Sequence, residues 1–198
     1  QTNHILVGAT EHPSVMECCK NYLSATCSVD VLEVNEDGLL TPEYLKTCIT
    51  NDTGLISVML ANNETGVIQN IQPLVEIVKD SPVIFHTDAV QALGKLNVDF
   101  NTLGVNLMTV SSHKIYGPKG VGALVHDNQT TLSPMLYGGG QEMGFRVGTE
   151  NVAGIVGFGK AAELAKQHID ERLLHLSALQ KELEQRIATI KGLSIVAN

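Results

Sequence analysis

The chain has 198 residues, 43% hydrophobic and 17% charged, enough for one substantial core and part of a second. Its 13 basic against 21 acidic residues give a formal charge of -8, and no basic stripe is present to neutralise phosphates, which argues against a nucleic-acid binder. No apolar run is long enough to span a bilayer, so membrane insertion is set aside.

The opening "QTNHILVGA" carries no initiator Met and no signal-like region, while the closing "GLSIVAN" reads as a Gly turn leading into a strand. The expectation is an internal piece of a longer protein. The first strand run, "HILVGA", is followed by "HPSVMECCKNYLS", which has helical spacing. "SVDVLEV" reads as the second strand and "TPEYLKTCI" as the next helix, with Thr41 as N-cap and Pro42 in its first turn. "TGLISVML", the helix-like "IQPLVEIVKD", and "PVIFHTDA" follow, then "VNLMTV" and "VGALVH" on either side of a polar turn. Strands alternating with helices predict an α/β unit with a mostly parallel sheet flanked by helices. Runs as apolar as "LISVML" predict strands covered on both faces, and the runs around the polar turn also read as buried.

From Val152 to Lys191 the chain reads as one long helix. Ile169, Leu173, Leu176, Leu183, Ile187 and Ile190 form an apolar stripe along it, expected to pack across the α/β domain. The domain division expected is 1–151 for the α/β domain, 152–191 for the connecting helix and 192–198 for the start of a smaller domain. The cysteines, Cys18, Cys19, Cys27 and Cys48, form no C-x-x-C pair or zinc spacing, and read as reduced, mostly packed thiols.

In a parallel sheet, ligands bind outside the carboxyl ends of the strands. Polar clusters stand there after four of the runs: "TEHPS", "ANNETG", "HTDAVQ" and "SSHK". Each has a plain structural explanation. Asn62 and Asn63 suit a turn, Ser111 and Ser112 could cap one, and His12 suits a helix start. Asp88 is harder to dismiss, because a carboxylate at the end of a buried strand needs a partner. Nucleotide motifs do not explain the pattern: "GPKG" and "GFGKAAE" lack the P-loop spacing, and no strand precedes "GIVGFG". A lysine amine in such a setting can form a Schiff base, and the usual cofactor for that is pyridoxal phosphate. Its site needs an acid for the pyridinium nitrogen, donors for the phosphate and a group against the ring face. Asp88, Ser111 with His113, and His12 could supply these in turn.

"ATEHPSV", "MLANNETGVIQ", "HTDAVQALGK", "SSHKIYGPKGVGAL", "GGGQE" and "FRVGTENVAGIVGFGKAAEL" resemble the NifS-like cysteine desulfurases and the related selenocysteine lyases. These belong to the class V aminotransferase group of fold-type I pyridoxal-phosphate enzymes. The likeness runs in order over nearly the whole chain. It implies Lys114 as the Schiff-base lysine, Asp88 on the pyridinium nitrogen and Gln91 on the cofactor's phenolic oxygen. It implies His12 against the ring, also moving protons, and Asn63 near that oxygen and the substrate. Ser111 and His113 would bind the phosphate, and Thr149 would reach the phosphate in the partner subunit of a homodimer. No metal is implied.

The implied activity removes sulfur from L-cysteine, leaving L-alanine and an enzyme persulfide that serves iron–sulfur clusters or other products through a sulfur-acceptor protein. The alternative is a selenocysteine lyase acting on L-selenocysteine; a noncatalytic dimerisation fragment is the alternative of another class. The family's phosphate loop is expected before Gln1. Its nucleophilic cysteine and substrate-carboxylate arginine are expected beyond Asn198. None of the four cysteines present matches that nucleophile, so this piece alone is expected to be inactive. The expected location is the cytoplasm, with the mitochondrial matrix as the alternative.

Overall fold

The computed structural model describes residues 2–21 and 25–193, and each of the six apolar runs forms a strand. These are β1 (His4–Gly8), β2 (Ser28–Leu32), β3 (Thr53–Ser57), β4 (Ile84–Asp88), β5 (Leu107–Ser111) and β6 (Gly122–His126). They make a single sheet in the order β2-β1-β3-β4-β5-β6, parallel throughout except for β6, which pairs antiparallel with β5. The mostly parallel α/β architecture predicted from the sequence is the one observed.

The helices are α1 (Pro13–Asn21), α2 (Pro42–Cys48), α3 (Ile71–Glu76), α4 (Phe100–Leu103), α5 (Val152–Gln167) and α6 (Ile169–Ala188). Thr41 caps α2 as predicted, its side chain accepting the Tyr44 N–H at 3.3 Å, with Pro42 at the helix start. The short α4 is not apparent in the apolar pattern. Asp99 starts it by accepting the Thr102 N–H at 2.7 Å, and Gly104 ends it.

The strand order reverses at β1, and the covering helices change face with it. Crossovers are right-handed, so opposite directions of travel put helices on opposite sides. On one face α1 sets Met16 and Cys19 against Ile5 and Val7, with Val29 and Leu55 at the margin. On the other, Leu45 of α2 and Leu74 and Val75 of α3 pack on Leu6, Leu32, Ile56, Phe85, Met108 and Val110. Among the described residues the first face has no such apolar cover over β4 and β5, where His86, Asp88, Thr109 and Ser111 replace apolar residues.

Three expectations are corrected. The apolar composition of "VGALVH" suggests burial, yet Gly122, Ala123 and Leu124 are exposed because β6 is an edge strand. The long helix is two helices. Lys166 lies in the last turn of α5, and Asp170 and Glu171 open α6, each charge placed to favour an end at that point. His168 between them leaves helical geometry and bonds to Glu171 through its ring at 3.3 Å. The stripe on α6 does not pack across the sheet: α6 has no buried residue, whereas Gly154, Ala161 and Ala165 of α5 are buried. Of the cysteines, Cys19 is buried, Cys27 and Cys48 are half-buried, and Cys18 is exposed rather than packed. Residues 194–198, most of the segment expected to begin a smaller domain, lie outside the described residues, as do 22–24 of the first predicted helix.

Candidate functional site

Because β1, β3, β4 and β5 are parallel, the chain leaves all four at one edge of the sheet. His12 follows β1 and immediately precedes α1. Its ring is exposed and steadied locally, with Nδ1 accepting the Ser14 N–H at 3.1 Å and lying 2.7 Å from Ser14 Oγ. The loop after β3 is tied to the loop after β1 by Asn62, whose Nδ2 donates to the Thr10 carbonyl at 2.8 Å. Asn62 Oδ1 accepts the N–H groups of Glu64 at 2.8 Å and Thr65 at 2.7 Å, so this residue is a turn former. Its neighbour Asn63 is exposed, and shares with Gln91 and Lys95 the lining of a cavity of about 260 Å³.

Asp88 is the last residue of β4 and only 4% exposed, with Oδ1 accepting the Val90 N–H at 2.8 Å. His86, two residues back, shares its face of the sheet. The His86 ring spans three strands: Nδ1 is 2.8 Å from Ser57 Oγ on β3, and Nε2 is 2.8 Å from Thr109 Oγ1 on β5. Burial pushes the His86 pKa down, and the Asp88 charge opposes that. A neutral imidazole donates at one nitrogen and accepts at the other, which suits two hydroxyls. The row underlies Asp88 and holds the ends of three strands in register.

Ser111 ends β5, and its Oγ lies 2.8 Å from His113 Nδ1. Both line a second cavity, about 490 Å³, with Thr109 and the start of β6. Lys114 sits in a 3-10 turn, Ser112–Ile115, with its side chain exposed between two buried anchors, Ser112 and Ile115. Ile115 packs against Ala161 and Ala165 of α5, which holds the turn to the body of the domain. Tyr116 closes the turn in the left-handed conformation at φ 68°, and the Gly117 N–H donates to the Ser112 carbonyl at 3.1 Å. Lys95 donates to Gln91 Oε1 at 2.8 Å and to the Gln91 carbonyl at 3.1 Å. Its pKa is lowered first by burial and then by the charge of Lys114, so the two amines lie within electrostatic reach.

The fold therefore gathers His12, Asn63, Asp88, Gln91, Ser111, His113 and Lys114 at one sheet edge. Thr149 is not drawn in. It is exposed in irregular chain before α5, and no hydrogen bond among the described residues joins it to the others. Four neighbours escape a reading of the sequence: Glu11, His86, Lys95 and Thr109. His86 and Thr109 had a signal, since each lies two residues before a candidate on the same strand and so on the same face.

The residues present suit a pyridoxal-phosphate site. Asp88 is a buried carboxylate whose Oδ1 accepts a backbone N–H. Ser111 and His113 place a hydroxyl and an imidazole beside open space, and Lys114 offers an amine from a short anchored turn. Together they provide an acid for a ring nitrogen, donors for a phosphate and a nucleophile for an aldehyde.

Comparison with known proteins converges on one family. Residues 1–198 match the family described as Aminotransferase class-V. A cysteine desulfurase IscS from Dictyoglomus turgidum is 44% identical over 191 residues, covering 94% of this chain and 48% of that protein. A cysteine desulfurase from Nostoc is 42% identical over 187 residues, covering 94% of this chain and 47% of its own length. The chain thus spans about half the length of the curated relatives it matches. Among solved structures, a NifS-like protein superposes with a TM-score of 0.90 at 37% identity, covering 93% of this chain and 51% of the other. The NifS-like protein from Rickettsia africae gives 0.92 at 35% identity, covering 99% of this chain and 54% of the other.

Proposed function

Because the chain belongs to the aminotransferase class-V family, we propose that the protein carrying it is a pyridoxal-phosphate-dependent cysteine desulfurase. The observation that supports this most is the buried Asp88 carboxylate at the end of β4, at the same sheet edge as the anchored turn that presents Lys114. Pyridoxal phosphate, when bound, supplies an electron sink for charge developing at the substrate Cα. The chain's own residues do the rest. Lys114 would hold the cofactor covalently and, with its nitrogen free, would take the Cα proton. Asp88 would face the cofactor's ring nitrogen. Gln91 would bond the phenolic oxygen, its own carbonyl oxygens being engaged by Lys95. Ser111 and His113 would hold the phosphate, Asn63 would orient the substrate side of the site, and His12 would cover the ring and carry protons.

The sulfur leaves by bond exchange. The substrate C–S bond breaks as an S–S bond forms to a protein thiol, so one L-cysteine and one thiol give one L-alanine and one persulfide with no external oxidant. None of Cys18, Cys19, Cys27 or Cys48 is assigned that thiol. In the full chain with pyridoxal phosphate, L-cysteine should yield alanine and thiol-releasable sulfur in equal amounts. Lys114→Ala should lose both, along with the cofactor band that borohydride fixes to the protein. A mutant that keeps a reducible band would place the covalent linkage on another lysine. Exclusive turnover of L-selenocysteine would overturn the substrate assignment.

A further inference from the structure

One buried polar group at this edge has no role in the scheme above. Glu11 follows β1, in a turn closed by its own N–H to the Gly8 carbonyl at 3.2 Å. It is only 8% exposed, and neither carboxylate oxygen has a hydrogen-bond partner among the described residues. The side chain folds back over Gly8, where an added Cβ would stand 3.5 Å from Glu11 Oε1. Asp88, 4% exposed, lies within electrostatic reach from the end of β4. An ionised carboxylate with no partner is expensive to bury, and a second carboxylate nearby makes it more so. The proton therefore belongs on Glu11, because Asp88 already accepts the Val90 N–H at 2.8 Å.

We propose that Glu11 is a proton-bearing positioning residue for Asp88: it stays neutral beside Asp88, leaving Asp88 as the ionised member of the pair that receives the cofactor's ring nitrogen. The last clause rests on the function proposed above; the coupling of the two carboxyls does not. Burial and then the Asp88 charge raise the Glu11 pKa from 4.5 to about 8. The Met59 N–H opposes this from nearby but falls short of hydrogen-bond geometry. Cys19 of α1 also lies within electrostatic reach of Glu11, and its thiol pKa is raised first by burial, then by Cys18 and Glu11.

The sign of the pH effect follows. The folded protein keeps the Glu11 proton up to about pH 8, whereas the unfolded chain releases it near 4.5. Stability from this group is therefore full below the lower value and is lost as pH rises to the upper one.

The test uses the full chain without cofactor, unfolded by urea at a series of pH values. Wild type should lose stability between these limits, Glu11→Gln should lack that component of the slope, and Asp88→Asn should move its upper end to lower pH. A slope unchanged in Glu11→Gln, or an upper end unmoved by Asp88→Asn, overturns the coupled pair. The cofactor arm compares wild type with Glu11→Gln, a similar shape that is neutral at every pH. Pyridoxal-phosphate affinity should match in the two at neutral pH and diverge as pH rises past about 8, where only the wild-type Glu11 ionises. Equal affinity across the whole range overturns the positioning role. If Asp88→Asn leaves the bound cofactor's spectrum and affinity unchanged while the stability results hold, the ring-nitrogen assignment fails and the carboxyl pair stands.

Discussion

Gly94→Ala tests how the lysine turn is held. Gly94 sits in the left-handed region at φ 72°, which costs an L-residue roughly 1–2 kcal/mol. A Cβ there would also stand 2.8 Å from Ile115 Cγ2 and 3.2 Å from Ala165 Cβ. Ile115 is β-branched and fully enclosed, so it has little freedom to rotate away. Overpacking of this kind adds about 1–3 kcal/mol, for a total of roughly 2–5 kcal/mol. Gly120→Ala is the control, because Gly120 has a similar φ of 77° but no heavy atom within 4 Å of the added carbon. It should lose only the backbone part. Urea unfolding of the full chain without cofactor, compared at equal slope, measures both. Gly94→Ala should be the less stable by about 1–3 kcal/mol, the steric part alone. Equal losses would refute the claim that Gly94, Ile115 and α5 are in contact tight enough to fix the lysine turn.

Two further outcomes are expected. Phe85→Ala, which empties a fully buried position of β4, should cost about 3–5 kcal/mol in the same unfolding assay. If the protein is a homodimer with sites shared through Thr149, mixing inactive Lys114→Ala with inactive Thr149→Arg should restore activity, since each heterodimer holds one site with neither defect; no recovery despite subunit exchange would show that Thr149 serves its own subunit's site or none.

The strands were legible because their signal is local. Val and Ile runs of the right length, separated by turn residues, marked all six, and the intervening helical pattern implied parallel pairing. What failed depended on neighbours. "VGALVH" has the composition of a core strand, but its exposure was decided by a place at the sheet edge. The stripe on α6 has the right period for packing, yet periodicity specifies a face and says nothing of what lies against it. The break at His168 is written in the charges of Lys166, Asp170 and Glu171, a signal that apolar spacing overrides when only hydrophobic positions are counted.

The site divides in the same way. Parallel strands deliver their last residues to one edge, so the sequence alone places "HTD" and "SSHK" together. Residues found that way are those at or beyond the last position of a strand. Those deeper in the strand are marked only by the two-residue spacing that puts them on a candidate's face, and are fixed by their partners. His86 sits two residues from Asp88, yet a histidine in a strand could as well be an isolated core residue; it is the hydroxyls of Ser57 and Thr109, 29 and 23 positions away, that fix its ring. Glu11 is harder still. In sequence it is one more acidic residue next to His12, and acidic residues at helix starts are ordinarily solvated. Its burial arises because the turn after β1 folds the side chain back over Gly8, beside the end of the neighbouring β3 at Ser57. A Cβ at Gly8 would already touch the carboxyl, 3.5 Å from Oε1, and a side chain larger than alanine would crowd it, so the glycine and the glutamate form one feature spread over two positions. The chemistry assigned to Asp88 then depends on that feature as much as on Asp88 itself. A carboxylate facing a neutral acid stays charged, whereas one facing a second carboxylate would compete for the proton the cofactor needs.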